Sequence, residues 1–407
     1  MQILFVHQNF PGQFVHLAPA LARRGHKVLA MGDVANRRDK TPVETFYYRS
    51  PVKDRLKGIG ATFADAAARG EMVAGACGQL RDKKGFVPDV IFGHNGWGET
   101  LFLRDVWPKA RILNYAEFAY RARGLDADFD PEFQRMDAKA RMAVTARAAH
   151  ILQSMLDADA AVAPTRWQAD SFPDDLRGKI SVIHDGVDSD HLCPNPAARF
   201  GIPGTDRILT AGDEVLTFVN RNLEPYRGYH ILMRALPAIL AARPGAQVVI
   251  VGGDKQGYGA APASGTWKET FLAEVRDRLD LSRVYFTGRI ERPQFVSLLQ
   301  VARVHAYLTY PFVLSWSLIE AMSVGALVVA SRTGPVSEVL CDGVNGRLVD
   351  FFDVPGWSKA IIRALADPQA DVALRAAARA TVLDRYDLHR RCLPKLVDFV
   401  EAAGDRA

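Results

Sequence analysis

Residues 311–331 read PFVLSWSLIEAMSVGALVVAS. Ahead of them lies HAYLTY, an apolar run of strand type, and Pro311 closes it. Ser315 and Ser317 then supply hydroxyls suited to starting a helix, the apolar stretch from Trp316 to Met322 continues it, and Gly325 ends it before ALVVAS, a second buried strand. Two apolar strands joined through a helix form the unit of a parallel sheet covered on both faces. One acid, Glu320, stands in this greasy segment, about one turn into the helix.

The same rhythm extends in both directions. Toward the N-terminus of this half run LTFVN, a helical YHILMRALPAILAARPG, AQVVIVGG and VYFTG, and beyond the opening segment comes GRLVD. An independent series starts the chain: QILFVH, the turn NFPGQ, a helical pattern through Phe14, Leu17 and Leu21, then HKVLAMG, VPDVIFGHNGWG, ARILNYAEF, a long helical pattern over residues 131–158, and DAAVAP. Between the two series, residues 185–205 (DGVDSDHLCPNPAARFGIPGT) are rich in Pro, Gly and Asp and read as a linker. After a break at Tyr386-Asp387, HRRCLPKLVDFVEAAG reads as an isolated last helix. The expectation is an α/β protein of two Rossmann-like domains: residues 1–195 with a returning 387–407, and residues 196–386.

Bulk properties narrow the function classes. With 407 residues, 48% of them hydrophobic and 24% charged, the chain is long enough for two ordinary cores. The four cysteines stand far apart with no CxxC pairing, against a disulfide framework or zinc site. A net charge of +5, from 51 basic and 46 acidic residues without long basic runs, gives little reason to expect nucleic acid. MQILFVHQNF has no basic stretch ahead of a long apolar core, and no window reaches the roughly 18 apolar residues of a membrane span, so a cytoplasmic protein is expected. Peripheral contact with the inner membrane face through residues 36–40 (NRRDK) and 46–49 (FYYR) stays open.

Ligands of parallel sheets gather beyond the carboxyl ends of strands, so the loops there hold the candidates. In NFPGQ, Gly12 would let backbone amides approach a phosphate. In GHNGWG, His94 is placed to hydrogen-bond a substrate hydroxyl, or is simply a turn histidine. In NRNLEPYRG, Arg221 and Arg227 present forked donors that can converge on a diphosphate. Arg289, after VYFTG, can frame a base or phosphate. At the opening segment, Glu320 can accept hydrogen bonds from a pair of ribose hydroxyls, with Ser315 and Trp316 at the start of its helix.

The ordered set NFPGQF, FGHNGW, ISVIHDGVD, FVNRNLEPYRG, VIVGG, VYFTGRI, SLIEAMSVGALVVAS, TGPVSEVL and DGVNGRLV resembles the retaining GT-B glycosyltransferases of family 4 and spans nearly the whole chain. The likeness is most specific in the C-terminal half. It implies two domains facing across a cleft, an N-terminal acceptor side and a C-terminal donor side. It also implies transfer of a sugar from a nucleotide diphosphate to a glycan, lipid-linked or small-molecule acceptor, with retention at the anomeric carbon. By this resemblance no metal or cofactor is needed: Arg221 and Arg227 neutralise the departing diphosphate, Glu320 binds the ribose, His94 contacts the transferred sugar, and a loop amide at Gly12 faces the donor. UDP, GDP, ADP and dTDP donors remain open, as do the acceptor and the oligomeric state.

Three positions depart from the family pattern. Phe312 occupies the place of the first acid of E-x7-E, the two cations stand six apart and are both arginine, and Gly334-Pro335 replaces a glycine pair. Phe312 leaves open a less hydroxylated or deoxy sugar. Two other readings stay open: a nucleotide-sugar epimerase or phosphorylase, which shares the GT-B architecture, and, on account of Phe312, a catalytically silent sugar-nucleotide binder.

Overall fold

The computed structural model describes residues 1–50 and 57–405. The chain divides into two compact units, one of Met1–Gly186 with His389–Ala407 and one of Val187–Leu388.

The first unit is built on β1 (Gln2–Val6), β2 (Lys27–Asp33), β3 (Glu44–Tyr48), β4 (Val90–His94), β5 (Arg111–Tyr115), β6 (Ala160–Ala163) and β7 (Ile180–Val182). They lie in the order β3-β2-β1-β4-β5-β6-β7, every pair parallel. The strand order reverses between β1 and β4, so the loops after these two strands flank the switch point where such sheets bind ligands. β1 and β4 are buried almost throughout because helices cover both faces. On one face Phe5, Phe14 and Phe92 interlock, with the Phe5–Phe14 centroids 4.8 Å apart and Phe14–Phe92 4.9 Å. The last helix, Leu393–Gly404, joins this core through Leu396, Val397 and Val400. Glu401 on the same helix takes a bidentate pair from Arg24 (2.7 and 2.8 Å) and a 2.8 Å contact from His26.

The second unit opens with an antiparallel hairpin, β8 (Arg199–Gly201) with β9 (Ile208–Thr210). Its main sheet holds β10 (Val215–Asn222), β11 (Gln247–Gly253), β12 (Val284–Gly288), β13 (Val304–Tyr307), β14 (Leu327–Ser331) and β15 (Arg347–Val349), ordered β12-β11-β10-β13-β14-β15 and parallel. Here the order reverses between β10 and β13. The opening segment of sequence forms the helix Trp316–Ser323 and then β14, and Leu318, Ile319, Ala321 and Met322 all enter the core.

Two expectations need correction. Residues 185–205 are not a plain linker: Ala198, Phe200 and Ile202 alternate inward and build a small core with Leu209 and Leu298. Their period of two was masked by the surrounding Pro and Gly. Residues 187–195, expected with the first domain, belong to the second unit, where Val187 and Leu192 are core and Ser189 Oγ donates to Asp387 Oδ2 at 2.5 Å. The helical pattern of residues 131–158 is realised as Ala138–Asp157, begun by Asp137, whose side chain accepts from Ala140 N–H.

Candidate functional site

In the first unit the switch-point loops bring Gly12 and His94 close to a third residue, His7. Gly12 has φ +49°, and a Cβ there would lie 2.5 Å from His7 Nε2, so this position accepts only glycine for a local reason: the imidazole fills the space. His94 is fully buried at the end of β4. Its ring is stacked between Trp97 (4.3 Å) and Tyr115 (5.3 Å), with His7 against its edge at 5.2 Å. Gly96 N–H donates to His94 Nδ1 at 3.0 Å, which leaves the neutral ring its proton on Nε2. Burial, with His7 adding to it, holds the imidazole pKa well below the usual value, so His94 is a neutral hydrogen-bond donor and not an acid.

Beyond β2, β3 and β4 lies a polar cluster that sequence reasoning did not find. Arg69 Nη1 donates to Gln8 Oε1 (3.0 Å), Ser50 Oγ (2.8 Å) and Asp33 Oδ2 (3.3 Å), and Ser50 Oγ also bonds Asp33. Tyr48 O–H donates to Glu99 Oε1 at 3.0 Å, and burial pushes the Glu99 carboxyl up to about 7. The only local hint is Glu99 itself, an acid directly after GHNGWG. The same geometry removes Tyr48 from the stretch considered for membrane contact, since its ring is buried; Arg37 there lies 5.2 Å over Tyr47.

In the second unit, the ends of β10 and β12 carry cations. Arg221 is exposed at the end of β10, and Arg289, also exposed, donates to Asn222 Oδ1 at 3.3 Å. Arg227 is placed differently. It is buried, with Nη1 donating to Thr309 Oγ1 (2.8 Å) and Val313 O (2.9 Å), and its guanidinium faces the rings of Tyr258 (5.6 Å) and Phe312 (5.7 Å). Gly228 beside it has φ +68°, and a Cβ there would also collide with Leu308 at 2.3 Å, so the position takes glycine for two reasons. Phe312 is thus part of an aromatic wall with Tyr226 (5.7 Å) and Tyr258 (4.9 Å), where the family pattern has an acid. Glu224 fastens the loop carrying Tyr258 by accepting from Gly257 N–H (2.8 Å) and Tyr258 N–H (2.9 Å).

Glu320 is 5% exposed. Its helix is capped by Ser315, whose Oγ accepts from Ser317 N–H at 3.4 Å and lies 3.1 Å from Ser317 Oγ, while Trp316 is exposed. Burial pushes the Glu320 carboxyl up and Arg292 opposes it through a 2.6 Å ion pair. Arg292 was not among the expected residues: it lies at the start of the helix Arg292–Val301, and no local pattern connects it to Glu320.

Two family models match this chain. Residues 206–381 match the model described as glycosyl transferases group 1, and residues 24–192 the one described as glycosyl transferase family 4 group. The chain belongs to the family 4 glycosyltransferases. Among curated members, D-inositol 3-phosphate glycosyltransferase of Mycolicibacterium smegmatis is 33% identical over 209 residues, which is 50% of this chain and 44% of that protein. GDP-mannose-dependent alpha-(1-6)-phosphatidylinositol monomannoside mannosyltransferase of the same organism is 28% identical over 244 residues, 58% of this chain and 60% of that one. The chain therefore spans about half the length of the curated relatives it matches. Among solved structures, sucrose-phosphate synthase from Thermosynechococcus elongatus superposes with a TM-score of 0.76 at 19% identity, covering 100% of both chains. Anabaena Alr3699/HepE in complex with UDP-glucose superposes with a TM-score of 0.67 at 16% identity, covering 99% of this chain and 100% of that one. At these identities the likeness is one of fold, and the fold is GT-B.

Proposed function

We propose that this family 4 chain is a retaining glycosyltransferase that moves a sugar from a nucleotide-diphosphate donor to a glycan, lipid-linked or small-molecule acceptor in bacterial polysaccharide or glycoconjugate synthesis. The observation that carries the reading is the setting of Glu320: a carboxylate buried in an apolar helix after β13 and paired with Arg292, in the unit where β10 and β12 end near Arg221 and Arg289. Such a carboxylate suits two vicinal hydroxyls, as in a ribose, and the arginines suit a diphosphate.

In this reading the diphosphate gains charge as the glycosidic bond breaks, and the N–H groups of Arg221 and Arg227 stabilise it, a task that elsewhere falls to a divalent cation. Arg227 also fixes the loop after β13 through Thr309 and Val313, so it does not reorganise during the reaction. His94 contributes a neutral Nε2–H to the substrate in the first, acceptor-side unit. The names of the relatives, which print inositol 3-phosphate, GDP-mannose and phosphatidylinositol monomannoside, and the UDP-glucose bound in the Anabaena structure, define the first substrates to try. The experiment is mass spectrometry of products from UDP-, GDP-, ADP- and dTDP-sugars with and without EDTA. Transfer that persists in EDTA supports the reading, and a donor that binds without turnover points to the silent binder.

A further inference from the structure

Around His94 the first unit holds a chain of hydrogen bonds whose directions can be read atom by atom. Asn9 N–H donates to His7 Nδ1 at 2.9 Å, so the neutral His7 ring carries its proton on Nε2. That N–H donates to Gln13 Oε1 at 2.8 Å, which turns the Gln13 NH2 toward Glu117 Oε1 at 3.4 Å. His94 Nδ1 is taken in the same way by Gly96 N–H. Its Nε2–H lies 3.7 Å from Glu117 Oε2, beyond hydrogen-bond reach, and has no hydrogen-bond partner among the described residues. Stacking by Trp97 and Tyr115 holds the ring against a swing that would close this gap.

A buried donor left unpaired costs about 1–3 kcal/mol, so one standing beside a carboxylate it does not touch marks a place kept for a third group. That group must accept from His94 Nε2–H and donate to Glu117 Oε2. A hydroxyl does both from a single oxygen, about 2.8 Å from each. A phosphate or carboxylate would bring a second negative charge against Glu117, an ammonium has no lone pair for the imidazole N–H, and a trans amide points its N–H and C=O in opposite directions. Glu117 is about a third exposed while His94 is wholly buried, so the approach runs over the carboxylate.

We infer that Glu117 is a substrate-binding residue that, with His94, recognises one hydroxyl of a sugar ring. The hydroxyl donates to the Glu117 carboxylate and accepts from the imidazole. This deepens the glycosyl-transfer reading and rests on it for the sugar.

The test compares the full-length wild type, Glu117→Ala and Glu117→Gln. Nucleoside diphosphate release is measured from UDP-, GDP-, ADP- and dTDP-sugars, first with water as the sole acceptor and then with D-inositol 3-phosphate. Monodeoxy forms of the sugars that react follow, and thermal unfolding checks that the variants are folded. Glu117→Ala is expected to lose roughly ten- to a hundredfold in kcat/KM, with Glu117→Gln milder because its amide oxygen still accepts. One monodeoxy substrate should cost the wild type a similar factor and cost Glu117→Ala nothing more. A loss already present in hydrolysis places the hydroxyl on the donor sugar, and a loss in transfer alone places it on the acceptor. A folded Glu117→Ala within about threefold of wild type in every arm overturns the assignment. So do deoxy penalties that persist in full in that variant. A wild type that releases no nucleotide from any donor overturns the transfer reading itself, and the inference with it.

Discussion

Glu320 meets two opposed demands: burial disfavours its charge, and the proposed ribose binding needs that charge. Arg292 reconciles them at 2.6 Å from a helix start on another part of the unit. Glu320→Gln keeps the shape and removes the charge-assisted character of the bonds, so UDP or GDP binding should weaken by roughly 1–3 kcal/mol, and a 2′-deoxy nucleotide should lose little further in that variant. In Arg292→Ala, burial acts unopposed on the carboxyl, and nucleotide affinity should begin to fall at a higher pH on acidification than it does in wild type. Calorimetric titration reads both; unchanged affinity in both variants would return Glu320 to a structural role. The places of Glu320, Arg221 and Arg289 at or after strand ends were legible, because strand-end loops are found from periodicity. Arg292 and Glu117 were not, because each acts on a residue that only the folded sheet brings near. The burial of Arg227 was equally hidden: nothing local distinguishes a guanidinium locked to Thr309 and Val313 from one in solvent.

At the scale of elements, the turns after β1 and β4 share one device. His7 and His94 each stand just past or at a strand end and accept on Nδ1 from the N–H two residues on, and His184, after β7, does the same with Gly186 N–H at 3.0 Å. Gly12 completes the first of these turns. Gly12→Ala must both hold φ +49° and displace the His7 ring, and should cost about 1–3 kcal/mol. Urea unfolding that shows less than about 0.5 kcal/mol would mean the turn relaxes freely. Strands with continuous apolar runs were readable, and so was the helix Trp316–Ser323. The helix Ala61–Lys84 was not, since it is rich in Ala and Gly and buries only a sparse stripe that includes Val73, Cys77 and Leu80. The hairpin of β8 and β9 was missed because Pro and Gly around it outweighed three alternating apolar residues.

For the whole molecule, buried histidines set the response to acid. Burial lowers His7 and His305 to about 4 from 6.5. Unfolded, these rings take a proton near 6.5, so the stability they confer is complete above that pH and is lost as pH falls through 4, roughly 3 kcal/mol for each. Glu99 works in the opposite sense: raised to about 7 from 4.5, it contributes stability below pH 4.5 that is lost as pH rises through 7. Glu224 and Glu320 are raised in the same sense as Glu99, and His94, His150 and His184 are depressed like His7 and His305, so the histidines are the larger group. The urea midpoint should therefore fall between pH 6.5 and 4, and a flat or rising midpoint would contradict the buried neutral state of these rings.

The central claim, transfer of a sugar from a nucleotide diphosphate, is tested most directly by turnover of the donor panel in wild type and Arg221→Ala, read beside nucleoside diphosphate affinity. Arg221 is exposed at the end of β10, so its loss leaves the core intact. The account predicts a glycosylated product from wild type in EDTA, and in Arg221→Ala a turnover lower by about a hundred- to a thousandfold with a much smaller change in affinity. A wild type that forms no product from any donor, or an Arg221→Ala chain that works at the wild-type rate, would contradict it.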